Sequence, residues 1–193
     1  MNGPHAHSVR GHLGPFIAQR APLLRRYAAL GYEGLLLAAV VLVVGFLTLP
    51  ATRAGSPGGV LALPPLSGRV LSACLVFGAA GLYFTWSWTA GRRTLPMKTW
   101  RLMLIRADGR NVDGRTAVIR YFGAWIGPVA ALAAHAALQP SSLGAHAAWL
   151  AALGYLWPIV DPDRQFLHDR IAGTRIVMAP PDPVSAAPAP RPR

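Results

Sequence analysis

Cysteine and acid are what this sequence has least of: one Cys and seven Asp or Glu residues among 193. With Cys74 alone inside an apolar stretch, no disulfide framework can form, and the thiol reads as a packing residue. Charge as a whole is sparse, 13% of residues against 53% hydrophobic. The chain has no internal repeat, no metal-ligand motif and no phosphate-binding glycine loop. His168-Asp169 is its one His–carboxylate adjacency, and sequence neighbours on a helix do not face one another. No nucleophile accompanies that pair. These absences point away from an enzyme, and neither a cofactor nor a metal is expected. The His5, His7 and His12 set in the N-terminal tail lacks a fixed fourth ligand.

In place of charge the sequence has long apolar runs. Residues 34–52 carry no charge at all, a run long enough for a helix crossing a bilayer, which needs about 20 apolar residues for roughly 30 Å of hydrocarbon. A cleaved signal peptide fits poorly: the run is too long, no A-x-A site follows, and further apolar segments come later. The runs predict an all-α membrane protein with four transmembrane helices, at about residues 25–49, 70–90, 117–138 and 143–160. The second ends in Tyr83, Phe84, Trp86 and Trp88, an aromatic cluster suited to the membrane interface. The third carries Gly123-x-x-x-Gly127, a spacing that lets helix backbones approach closely. His135 and His146 flank the turn after it and read as interfacial histidines.

Between the runs, residues 101–106 and 174–178 predict two short strands side by side, a small cytoplasmic β-hairpin-like element, with Ala107-Asp108-Gly109 as turn and Asp113 as a helix cap. Residues 1–23 read as a cytoplasmic tail, 24–178 as the membrane domain, and the Pro- and Ala-rich residues 179–193 as a disordered tail. The formal charge of +12 could suggest nucleic acid, but its placement argues otherwise. Seventeen of the nineteen Lys and Arg residues lie in residues 1–26, the 91–120 segment and the C-terminal segment. By the positive-inside rule both termini are therefore expected in the cytoplasm. The expected partners are the lipid bilayer and either a second copy of the chain or another membrane protein, with no nucleic acid.

Glu33 is the singular residue of the first run. It follows Arg26 by about two helical turns, so both side chains leave nearly the same face. The predicted topology puts Arg26, Glu33, Arg120 and Asp161 at one level, as an intramembrane network of alternating cations and carboxylates. Carboxylates at such depth usually face a bundle interior with a partner.

These residues also carry a resemblance. Arg26 is followed by Ala28 and Ala29; Gly91, Thr94 and Lys98 fall in a basic loop; Asp161 is followed by Gln165, His168, Asp169, Gly173 and Thr174. Over about residues 24–177 this pattern resembles the RDD family of small bacterial membrane proteins, named for one Arg and two Asp residues. Glu33 stands where that family has its first Asp, and Pro96 replaces a family glycine. The resemblance implies a multi-pass protein of the bacterial inner membrane, with transport or cation/proton exchange proposed for some members. Two functions follow as expectations. One is transport of an ion or small solute using the Arg/carboxylate network. The other is a non-transporting assembly or partner-docking protein in which the same charges form a structural clamp.

Overall fold

The structure, a computed structural model, describes residues 19–53, 64–139 and 142–180. The expected tails therefore lie largely outside the described residues, as do most of the first loop and two residues of the turn after Gln139. About 70% of the described residues are helical.

Among the described residues, three helices are long and apolar enough to span a bilayer: residues Leu23–Pro50 of α1 (Leu23–Arg53), α2 (Leu66–Trp88), and Gly114–Leu138. Away from their ends, where Arg25, Arg69, Arg115 and His135 are exposed, their outer faces are largely apolar. Leu35, Leu42 and Phe46 of α1 are 70%, 73% and 76% accessible, which would be untenable in water and is natural against lipid. The third span is divided at Trp125 into α4 (Gly114–Ala124) and α5 (Ile126–Leu138). Pro128 has no N–H to offer the carbonyl four residues back, and Trp125 N–H turns to Phe122 O at 3.0 Å, one residue tighter than α-helical. Asp113 caps α4 as expected, its Oδ1 accepting from the Thr116 N–H at 2.7 Å.

The fourth apolar run is helical but is not one α-helix. It folds as a 3₁₀ helix, Ser142–Ala152, then one α turn, α6 (Leu153–Leu156), then a second 3₁₀ turn, Trp157–Ile159. Gly144 and Gly154 weaken α-helical propensity, and Pro158 removes a donor at the end of the run. The segment packs on α5 where Gly127 leaves room. A Cβ on Gly127 would lie 2.9 Å from the Leu150 and Ala151 carbonyls, and one on Gly123 would touch His168 at 3.4 Å. The two glycines of the G-x-x-x-G spacing thus serve two different neighbours.

At one end of the helices a small cap closes the molecule. The short α3 (Leu95–Thr99) leads into β1 (Leu102–Arg106), and α7 (Leu167–Ala172) into β2 (Thr174–Met178). β1 and β2 pair antiparallel, from Leu102 opposite Met178 to Arg106 opposite Thr174. This matches the expected strands, but they do not form a hairpin. The turn after Arg106 returns only as far as a single bridge, Ile105 with Asn111, because the chain then enters the Asp113 cap of α4. On the other edge of β2, Arg20 bridges Val177, and Ala21 N–H and Gln19 O bond Ile176 O and Met178 N–H. The sheet therefore fixes where α1 starts.

The tightly packed core sits at this end. Leu102, Leu104, Val112 and Val177 are 2% accessible or less, with Met97, Trp88 and Phe166 packed around them. Across the bundle, Phe77, Tyr121 and Trp125 join α2 to α4, with Tyr121 Oη donating to Phe77 O at 2.7 Å.

Candidate functional site: a buried Arg–Asp–Arg cluster beside an intramembrane cavity

The cluster is built from the short α7. Gly173 ends that helix at φ 62°, the left-handed conformation that glycine adopts without strain, and so turns the chain sharply into β2. The turn places the buried Thr174 hydroxyl 3.3 Å from Asp169 Oδ1. Asp169 itself is fully buried. Arg120, from α4, donates through Nε to Asp169 Oδ1 at 2.8 Å, and Arg26, from α1, through Nη2 to Oδ2 at 3.3 Å. One carboxylate thus bridges two membrane helices to the cap. Burial pushes the Asp169 carboxyl up, but Arg120, His168 and Arg26 together hold it below the usual carboxylate range.

Both guanidiniums are backed by rings. Arg120 lies over Trp88 at 4.0 Å and Arg26 over Phe166 at 4.4 Å. Arg26 Nη1 also donates to the Arg164 carbonyl at 2.5 Å. Arg120 Nη2 meets His168 Nε2 at 3.2 Å, and because a guanidinium only donates, His168 is neutral with Nε2 as acceptor. Burial, reinforced by Arg120, pushes the His168 pKa down to about 4.

The placement of the expected network differs from the sequence reading. Arg26 and Arg120 do converge, but on Asp169. Asp161 is buried outside the cluster, with Oδ1 3.3 Å from Arg170 Nε and Oδ2 accepting the Gln165 N–H at 2.9 Å, because the turn after Pro158 carries it toward the surface arginines. Glu33 lies within electrostatic range of Arg120 and Asp169, with the Thr94 side chain as a polar neighbour. Its Oε1 is buried without a hydrogen bond. It faces a cavity of about 450 Å³ between α1, α2 and α4, lined by Arg26, Glu33, Arg120 and His168 at one end and by Leu37 and Trp125 among its apolar walls.

The remaining motif residues are structural in position. Gly91 takes φ 75° in the loop after α2, and Thr94 caps α3 by accepting the Met97 N–H at 3.3 Å. Pro96, the departure from the family glycine, occupies the first turn of α3, where a missing N–H costs little. Lys98 is exposed in the last turn of α3. Phe166 has no signal in the sequence and Trp88 reads there only as part of an interfacial aromatic cluster, since only the tertiary fold brings the two rings under the guanidiniums.

Long apolar helices locked at one end by a buried ion cluster point to a helical membrane protein. Residues 20–173 match the RDD family, and the chain belongs to it. A search of curated proteins found no significant match, and neither did a search of solved structures.

His168 predicts a pH dependence. Its folded-state pKa of about 4 lies below the ordinary histidine value near 6.5, so between these values the unfolded chain binds a proton that the folded chain refuses. Stability therefore falls as pH drops from about 6.5 to about 4, by a total on the order of 3 kcal/mol, and is unaffected above. Asp169 adds its own loss only at lower pH, below the ordinary carboxylate range. Melting of the detergent-solubilised protein should show this decline, and His168→Gln should remove most of it. An unchanged decline in that variant would show that another group is responsible.

Proposed function

We propose that this is a transport-related protein of the bacterial inner membrane, in which Glu33 is the titrating or cation-binding group. The observation that carries this reading is the buried, unbonded Glu33 Oε1 on the wall of the 450 Å³ cavity, a carboxylate with binding capacity that the protein itself leaves unused. Arg120 nearby would oppose a bound cation and favour its release, and exchange of that cation for a proton on Glu33 keeps the site's charge constant. The protein moves solutes rather than transforming them, so no enzymatic role is assigned. A small bundle encloses little pathway, and a homo-oligomer would supply the rest.

In the same reading the chain crosses the membrane four times with both termini in the cytoplasm. Supporting it, the mostly 3₁₀ segment from Ser142 to Ile159 gains about 2 Å per residue, enough to traverse roughly 30 Å despite its length. With Cys74 replaced by Ala, a cysteine at Gln139 should react with an impermeant reagent in intact cells, and one at Arg110 only after permeabilisation. Labelling of both from outside would reverse or break the topology.

A second reading has one specific observation in its favour. Arg26 and Arg120 are already committed to Asp169, as a structural clamp in a partner-docking protein would require. Proteoliposome flux separates the two. Wild type should exchange Na⁺ or K⁺ against protons, and Glu33→Gln should lower the rate at least about tenfold with little change in melting, since the amide cannot titrate. Absence of wild-type flux together with stoichiometric co-purification of one protein would favour docking.

A further inference from the structure

A second concavity, of about 310 Å³, shares Arg26 and Ile176 with the larger cavity but is otherwise lined by different residues. It is bounded by the start of α1, the turn at residues 162–165 and β2, and four arginines line it: Arg20, Arg26, Arg164 and Arg175. Its one carboxylate, Asp163, is already occupied by Arg20 at 2.7 Å and Arg170 at 2.8 Å.

The other guanidiniums have unused capacity. Arg26 is 6% accessible, yet its Nε is buried without a hydrogen bond. Arg175 donates through Nη2 to Ala107 O, but its Nε is likewise buried and unbonded. The Arg164 side chain is exposed and forms no ion pair among the described residues, while its backbone is held at φ 50°. A non-glycine residue costs energy there, and such strain tends to persist where it aims a side chain. The N-terminus of α1 opens on the same space with no acidic residue in its first turn, so its partial positive charge is uncompensated.

We infer that this pocket binds a phosphate-class anion, either the phosphodiester of an anionic lipid headgroup or free phosphate. Its chemistry excludes cations and suits a group with several acceptor oxygens and at least one full negative charge. The lipid source is favoured by level: the pocket sits where the span beginning at Leu23 emerges, and Leu24 beside it is an apolar side chain 81% accessible.

The test uses the full chain, stripped of lipid in neutral detergent, titrated separately with short-chain phosphatidylglycerol and with inorganic phosphate, binding being read by native mass spectrometry and calorimetry. At least one should bind, and Arg164→Gln with Arg175→Gln should weaken it about tenfold or more, while Lys98→Gln with Arg110→Gln, an equal charge loss elsewhere, should change it less than about twofold. Binding of the lipid alone identifies a headgroup site; binding of phosphate identifies an anion site open to solution. Arg164→Gly guards against a folding artefact, because it relieves the left-handed backbone and should melt no lower than wild type while binding more weakly. Failure of both ligands to bind, equal weakening by the two double variants, or full affinity in Arg164→Gly would overturn the assignment.

Discussion

Everything at the polar end of this protein depends on one buried carboxylate between two buried cations. Asp169 holds Arg120 and Arg26, and through them ties α4 and α1 to the cap made by α7 and β2. None of the three can be exposed to water without moving a secondary-structure element, and none can be removed without leaving a charge unpaired in low dielectric. Removing one partner of such a set typically costs about 3–5 kcal/mol, whereas the intact set is close to neutral as a net contribution. The cluster therefore specifies the arrangement of helices more than it stabilises them. The rings of Trp88 and Phe166 exclude water from it, and His168 serves it only while uncharged.

The two concavities share lining residues, Arg26 and Ile176, while Glu33 lines only the intramembrane one. The intramembrane one presents a carboxylate with a spare oxygen, the smaller one guanidiniums with spare N–H groups. A cation would be received in one and an anion in the other, with Arg26 common to both. This gives a physical route by which occupancy at the membrane surface could bias the charge balance around Glu33.

Much of the architecture was legible in the sequence because membrane burial leaves an unambiguous mark. The uncharged run after Glu33, the Asp113 cap and the pairing of residues 101–106 with 174–178 all follow from local chemistry. The continuous α-helix expected over residues 143–160 did not form, because hydropathy reports environment and not the number of residues per turn. The site was only half legible. Arg26 and Arg120 are legible from their places at helix ends, but the sequence points to Glu33 and Asp161 as their partners, whereas both guanidiniums meet Asp169. Chain order cannot show which of two carboxylates eight residues apart a tight turn will carry inward. Arg164 and Arg175 carry no such signal, since a surface arginine in sequence looks the same whether or not its neighbours leave it a pocket.

The central claim is that Asp169 energetically couples to the two arginines, and a double-mutant cycle tests it most directly. Unfolding of the purified protein in detergent would be measured for Asp169→Asn, Arg120→Gln and the double variant, with the same cycle repeated for Arg26→Gln. Each single change should be strongly destabilising, and each double should be less damaged than the sum of its singles by at least about 1 kcal/mol. Additive effects in both cycles would contradict the account, because they would mean that the carboxylate and the guanidiniums share a place without depending on one another.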